Sequence, residues 1–253
     1  MILHPLNSPE SDTGARAIPV WQAVERKQKQ PASEWWLVAQ PDHAALAGDL
    51  AARISSELFP ALDEDVIKGI SLHDEGWAPF DSQARVNAEG RPASFLELPP
   101  SEFVPAWRGS IDRAEQVAPI AGFIVSGHFC RLGHGRLNAA IDTPSDTQML
   151  RAFLNGEEER QRRLQSIQSR SADEIRVLVD LLQFCDVLSL YLCCGSGASV
   201  EFPQRFRGES VSLERRGEMC VTQPRILGAG TSLAVTARRY PGGSAVSIPV
   251  LLG

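Results

Sequence analysis

No run of apolar side chains in the 253 residues comes near the roughly 18 needed to cross a bilayer. The start Met1-Ile2-Leu3-His4-Pro5 also lacks a basic stretch leading into an apolar core. A cytoplasmic location with no membrane partner is the expectation. Cysteine is scarce and odd in number, at Cys130, Cys185, Cys193, Cys194 and Cys220, with no CxxC spacing. That excludes a simple disulfide framework or zinc knuckle and predicts free thiols packed as small hydrophobes. Positive charge is in deficit: the net charge is −6 and the pI about 5.4, so no basic field exists for non-specific nucleic-acid binding. A single nucleotide in a local pocket remains compatible. There is no Gly-x-Ser-x-Gly nucleophile motif, no dinucleotide fingerprint, no internal repeat and no low-complexity tract. Gly195-Ser196-Gly197 follows a helical pattern and reads as its stop, not as a phosphate cradle.

What is present is a 43% hydrophobic content, enough for a substantial core. Residues 1 to 16 are polar and read as a loose tail, with order beginning at Ala17 and a single domain running over residues 17 to 253. Ile18 to Glu25 and Glu34 to Gln40 read as strands joined by a hairpin connection, Arg26 to Ser33. A helix capped by Asp42 carries Leu46, Ala47, Leu50, Ile54 and Leu58 at helical spacing, and a second runs from about Leu62 to Asp74 behind an acidic first turn. From Ala78 to Gly109 five prolines and several aromatics replace the periodicity, which predicts a packed segment without regular structure, in the manner of a lid. A third helix over Asp112 to Arg131 is expected to kink at Pro119. A charge-rich helix over Ser145 to Ser169 reads as a solvated face, and a fifth helix spans about Asp173 to Cys194. Short strands follow over residues 200 to 252. The expected fold is mainly α: a helical core over about 34–198, joined to a small antiparallel β-sheet made from N- and C-terminal strands.

Four strong metal-binding residues fall on helix faces that are otherwise apolar. His43 lies three residues before Leu46 and four before Ala47; His73 and Asp74 continue the face of Val66, Ile67 and Ile70; Asp186 sits among Ile175, Leu178, Val179, Leu182, Ser189 and Cys193. Burying such groups costs several kcal/mol unless they are satisfied, so a shared site is the economical reading. Imidazole and carboxylate together suit a divalent ion such as Mn²⁺, Fe²⁺ or Zn²⁺, with Mg²⁺ also open. His128 lies on the face of Val117, Ile120, Ala121 and Ile124. Three readings stand for it: a further ligand, a general acid or supporting donor, or an ordinary core histidine. Glu75 either orients a water or faces solvent. Phosphate recognition would need cations, and of Arg85, Arg91, Arg108 and Arg131 the last lies nearest His128 in sequence. His134 between two glycines is expected in a turn, and His4 in the loose tail.

The order His43, His73-Asp74, Asp186 resembles the H…HD…D motif of the HD superfamily of metal-dependent phosphohydrolases. The blocks Trp36 to His43, His73-Asp74-Glu75-Gly76-Trp77, Ser126-Gly127-His128 and Cys185 to Leu190 are similar to a bacterial family of HD-like proteins, domain of unknown function 3891. The resemblance implies that His43, His73, Asp74 and Asp186 hold the metal and that Asp74, Glu75 and His128 are the residues nearest the chemistry. It also implies a small phosphorylated metabolite or nucleotide as substrate. Many signalling HD phosphodiesterases have a lysine three positions after the motif Asp, whereas this chain has Trp77, which speaks against cyclic dinucleotides and makes the substrate site aromatic. The alternatives are a non-catalytic metal- or ligand-binding module, and a di-iron oxygenase of HD type in which His128 helps complete a second ion site.

Overall fold

The computed structural model describes residues 1–7, 16–228 and 230–253. Its first element already departs from expectation, because Ile2–Leu6 is a strand, β1, with Ile2 and Leu3 buried. After the two-residue β2 (Ile18–Pro19) the chain forms helix α1 (Val20–Lys29), not the expected strand and hairpin. Its buried positions, Val20, Ala23, Val24 and Gln28, recur at helical and not alternate spacing. Gln28 satisfies its buried amide by bonding both backbone groups of Leu3, at 2.9 and 2.7 Å. Strand β3 (Glu34–Val38) pairs antiparallel with β1 along its whole length.

Helix α2 (Gln40–Ala51) starts two residues earlier than expected, with Pro41 in its first turn and Asp42 inside that turn rather than at the cap. It also stops before Ile54 and Leu58. Helix α3 (Glu64–Leu72) is capped by the Asp63 carboxylate, which accepts from the Val66 amide at 2.9 Å. A 3-10 turn at Glu75–Trp77 precedes the segment expected to lack regular structure, Ala78 to Gly109, which itself holds a second such turn, Phe95–Glu97, and then the first half of helix α4 (Pro100–Val117). Helix α5 (Pro119–Ala139) is separate from α4 and not its kinked continuation. Ala118 between them is extended (φ −159, ψ 148), because a proline disfavours helical geometry in the residue before it and starts a new helix more easily than it bends an old one. His134 falls inside α5, exposed, and not in a turn. Helix α6 (Pro144–Gln165) carries the charge run, of which Glu157 is buried rather than solvated. Helix α7 (Ala172–Cys194) opens on a capping box between Ser171 and Glu174 and ends at Gly195, whose φ of +67 suits glycine. By length and hydropathy α7 is the one helix among the described residues that reaches the membrane-spanning range, but 83% of that stretch is buried within the protein.

Strands β4 (Val200–Phe206), β5 (Glu209–Arg216), β6 (Met219–Gln223), β7 (Thr231–Tyr240) and β8 (Ala245–Leu252) complete one eight-stranded sheet ordered β1-β3-β7-β8-β6-β5-β4-β2. This overturns the small antiparallel sheet. The sheet is mixed, with β2/β4 and β6/β8 parallel, and it is a large sheet curled into a half-barrel, although helix still accounts for 50% of the residues against 22% in strands. The size comes from long-range pairing: β3 joins β7 at one end and β2 joins β4 at the other, so segments at the two ends of the chain close onto a single sheet. His4, expected in a loose tail, stands on edge strand β1, its ring edge-on to Trp36 and its Nδ1 2.9 Å from the Cys193 carbonyl. All five cysteines are free, and four are buried.

Candidate metal centre

Two close helix approaches bring the site together. Gly48 on α2 faces Ser71 on α3 with no room for a side chain, so the helices touch and His43 reaches Asp74. Beyond α3 the chain turns at His73-Asp74, and Gly76 lies flat against α4, its amide donating to Ser110 Oγ at 2.9 Å. A Cβ at Gly76 would fall on the Ala106 carbonyl. The close fit of that turn fixes the direction in which Asp74 points. Helix α7 supplies Asp186 and, one turn later, Ser189; helix α5 supplies His128.

The five groups meet in the interior. His43, His73 and His128 are essentially inaccessible, and Asp74 and Asp186 are 6% and 8% exposed. His43 Nε2 lies 2.8 Å from Asp74 Oδ2, and His43 Nδ1 lies 4.0 Å from Asp186 Oδ1. His73 Nε2 lies 3.3 Å from Asp186 Oδ1 and 3.9 Å from Asp74 Oδ2, and His128 Nε2 lies 3.8 Å from Asp186 Oδ2. Ligand atoms of His43, His73 and Asp74, and of His73, His128 and Asp186, each lie within 4.8 Å of one another.

Hydrogen bonding decides which nitrogens are available. The Ser189 hydroxyl gives its proton to the Asp186 carbonyl (2.8 Å), so toward His43 Nδ1 (2.9 Å) it can only accept. His43 therefore carries its proton on Nδ1. The Ile70 carbonyl, also only an acceptor, holds the proton of His73 on Nδ1 at 2.7 Å. Both imidazoles, when neutral, turn an Nε2 lone pair onto a carboxylate oxygen. Such an arrangement stands only with a cation, a proton or a metal, shared between them, and backbone- or hydroxyl-oriented histidines of this kind are what metal sites use.

The electrostatics agree. Burial alone would lower the His73 pKa, but Asp74 and the Asp186 hydrogen bond outweigh it and hold it up at about 9. Burial would raise Asp186, but the hydrogen bond from His73 and the charges of the three imidazoles bring it down to about 2. His128 is governed by burial, which pushes it down to about 4 against the pull of Asp186. Its Nδ1 is buried with no partner. The donor set, the fixed tautomers and the two buried carboxylates all fit a divalent cation.

Asp74, His128 and Asp186 form the floor of a cavity of about 160 Å³. Trp77 lines it too, with its indole Nε1 buried and unpartnered. The other expected neighbours lie elsewhere. Glu75, half-buried, is not among the lining residues, and Arg131 pairs with Asp180 and Gln183. Arg85 is tied to Glu102 and Arg91 to Glu97, while Arg108 lies over the Phe153 ring. The cation that does line the cavity is Arg136. Helical spacing alone does not separate the two arginines, since Arg131 and Arg136 both fall near the His128 face of α5; the pairing of Arg131 with Asp180 and Gln183 on α7 decides it. Gln40, Trp107 and Phe129 also line the cavity without having been singled out.

Fold and site together define a protein that buries a potential metal centre under a helical bundle, backed by a mixed sheet. A family model described as "Protein of unknown function (DUF3891)" matches residues 27–238, and the chain belongs to that family. No curated protein and no solved structure matches it.

Proposed function

We propose that the chain is a metal-dependent hydrolase that cleaves a phosphoester with water as the nucleophile. The observation that carries this reading is the clustering of His43, His73, Asp74 and Asp186 in two donor groups that share His73, with Asp74 and Asp186 reaching the floor of a cavity. The resemblance of their order to the HD motif supports the reaction class. His43 and His73, through Nε2, and the carboxylates of Asp74 and Asp186 would hold the ion, with Ser189 and the Ile70 carbonyl orienting the imidazoles. A divalent ion supplies Lewis acidity toward a phosphoryl oxygen and makes water nucleophilic near neutral pH.

The remaining roles fall to the chain. In the balanced reaction a water oxygen bonds to phosphorus, the ester P–O bond breaks, and the departing alkoxide needs a proton. His128, kept neutral by burial, lines the cavity and can take the proton that the attacking water gives up and relay it to that leaving oxygen. The aromatic walls keep bulk water from the reacting atoms. Phosphate release from a panel of phosphoesters, measured with Mn²⁺, Fe²⁺, Zn²⁺ or Mg²⁺, is expected for the native chain and lost in Asp74→Ala. Equal rates for the two proteins would defeat the hydrolase.

The two overlapping donor groups, which share His73, favour one second reading: a two-ion site including His128, as an HD-type di-iron oxygenase needs. Elemental analysis separates them, with one equivalent of metal expected for the first reading and two for the second.

A further inference from the structure

Beyond the floor, the cavity has a composition of its own. Trp77, Trp107 and Phe129 form its inner wall, with Trp107 stacked on Phe129 at 4.9 Å and 20°. Phe103 packs against Trp107 at 4.3 Å, and Trp21 and Phe95 meet edge to face toward the outside. The rim leaves Trp21 and Leu132 39% and 36% exposed. Arg136 is the one cation among the described lining residues, and it is already neutralised: Asp142, itself 6% exposed, holds its guanidinium with two bonds of 2.8 and 2.7 Å. A polyphosphate in this space would lay its charges against indole and phenyl faces with no counter-charge. An aromatic ring would instead find planar partners on several sides.

We infer that the cavity selects a compound with one anionic head at the His/Asp centre and an aromatic, apolar body along the wall, such as an aryl phosphomonoester. The head-group chemistry rests on the hydrolase reading; the preference for an aromatic body rests on the walls alone.

The test uses the Mn²⁺-loaded full chain with naphthyl phosphate, decyl phosphate, glycerol phosphate and ATP. Naphthyl phosphate is expected to exceed glycerol phosphate in kcat/KM by about 10- to 100-fold, through KM. Leu132→Glu, at the exposed rim, should raise the naphthyl phosphate KM by roughly tenfold without changing Mn²⁺ affinity in calorimetry. Glycerol phosphate or ATP matching naphthyl phosphate would overturn the inference, as would decyl phosphate surpassing it. If no ester is cleaved, quenching of tryptophan fluorescence by naphthyl phosphate decides. Saturable quenching that Leu132→Glu weakens keeps the aromatic site and rejects the hydrolase. Absence of quenching rejects the aromatic site.

Discussion

Sheet and helices bury different chemistry at equal depth. On β7 the inward residues are Leu233, Val235 and Ala237, and on β8 they are Ile248, Val250 and Leu252, alternating with exposed or half-buried neighbours. On the helices, positions just as deep hold His43, His73, Asp74, His128 and Asp186. Apolar inward faces return transfer free energy on folding, whereas buried ionisable groups lower stability until a partner satisfies them. The sheet's buried face is thus purely stabilising, whereas the helices, which supply most of the shared apolar core, also carry groups whose natural complement is a cation. What the first contributes to stability should be indifferent to metal, and what the second contributes should depend on it.

The largest effect expected tests the scaffold side. Ile248→Ala should cost about 2–5 kcal/mol in denaturant unfolding, equally with and without chelator, and leave Mn²⁺ affinity intact. A parallel loss of affinity would show that sheet and site are not separable. Next, metal loading to about 100–1,000 times Kd should stabilise the native chain by about 3–4 kcal/mol, and chelation should reverse it. Asp186→Ala should abolish that increment, and an unchanged melting temperature of the native chain with metal would remove the helical half's side of the contrast.

Smaller again is a pair of glycine substitutions. Gly76→Ala should cost about 1–3 kcal/mol and weaken metal binding, because the turn carrying Asp74 loses its seat on α4. Gly156→Ala, on the exposed face of α6 where a Cβ meets nothing, should stabilise by about 0.5–1 kcal/mol and leave metal binding unchanged. Thermal melts and calorimetry read both. An effect that is absent at neutral pH and emerges only on acidification belongs to the seam between the halves. Burial pushes the His4 pKa from its ordinary 6.5 down to about 4, with Lys27 and Arg215 adding to it against the Cys193 carbonyl. The fold holds the neutral ring, while the unfolded chain takes up a proton near pH 6.5. The His4 contribution is therefore complete above about pH 6.5 and falls as pH drops toward 4, by at most about 1.4 kcal/mol per pH unit. His4→Asn should flatten the stability profile in that window, and an unaltered profile would deny His4 the role.

Legibility in the sequence followed the same division. The helical faces announced their own exceptions: a histidine or aspartate at an apolar period is locally visible, so His43, His73, Asp74, His128 and Asp186 could be picked out before any geometry. The sheet was under-read for equally physical reasons. Strand β1 contains Pro5 and β4 contains Pro203, residues that argue against a central strand. Both are nonetheless accommodated, β1 because it lies at the sheet edge and β4 because its register shifts between Glu201 and Arg205, around the proline. Ile18 to Glu25 misled because Ile18, Val20 and Val24 are β-branched, although the burial of Ala23 and Gln28 follows the helical period.

By itself the chain dictates which side chains must be buried and that some are ill-suited to burial alone, since both follow from period and polarity within a few residues. Only the tertiary structure decides that these groups converge, that Ser189 and Ile70 turn the imidazole Nε2 atoms inward, and that Arg136 is neutralised by Asp142 beside an aromatic wall. It alone also decides that eight strands from both ends of the chain share one sheet. The reason is range: helical periodicity is encoded over three or four residues, whereas the contact between α2 and α7, like the pairing of β3 with β7, spans more than a hundred residues of sequence and is selected by how whole faces pack.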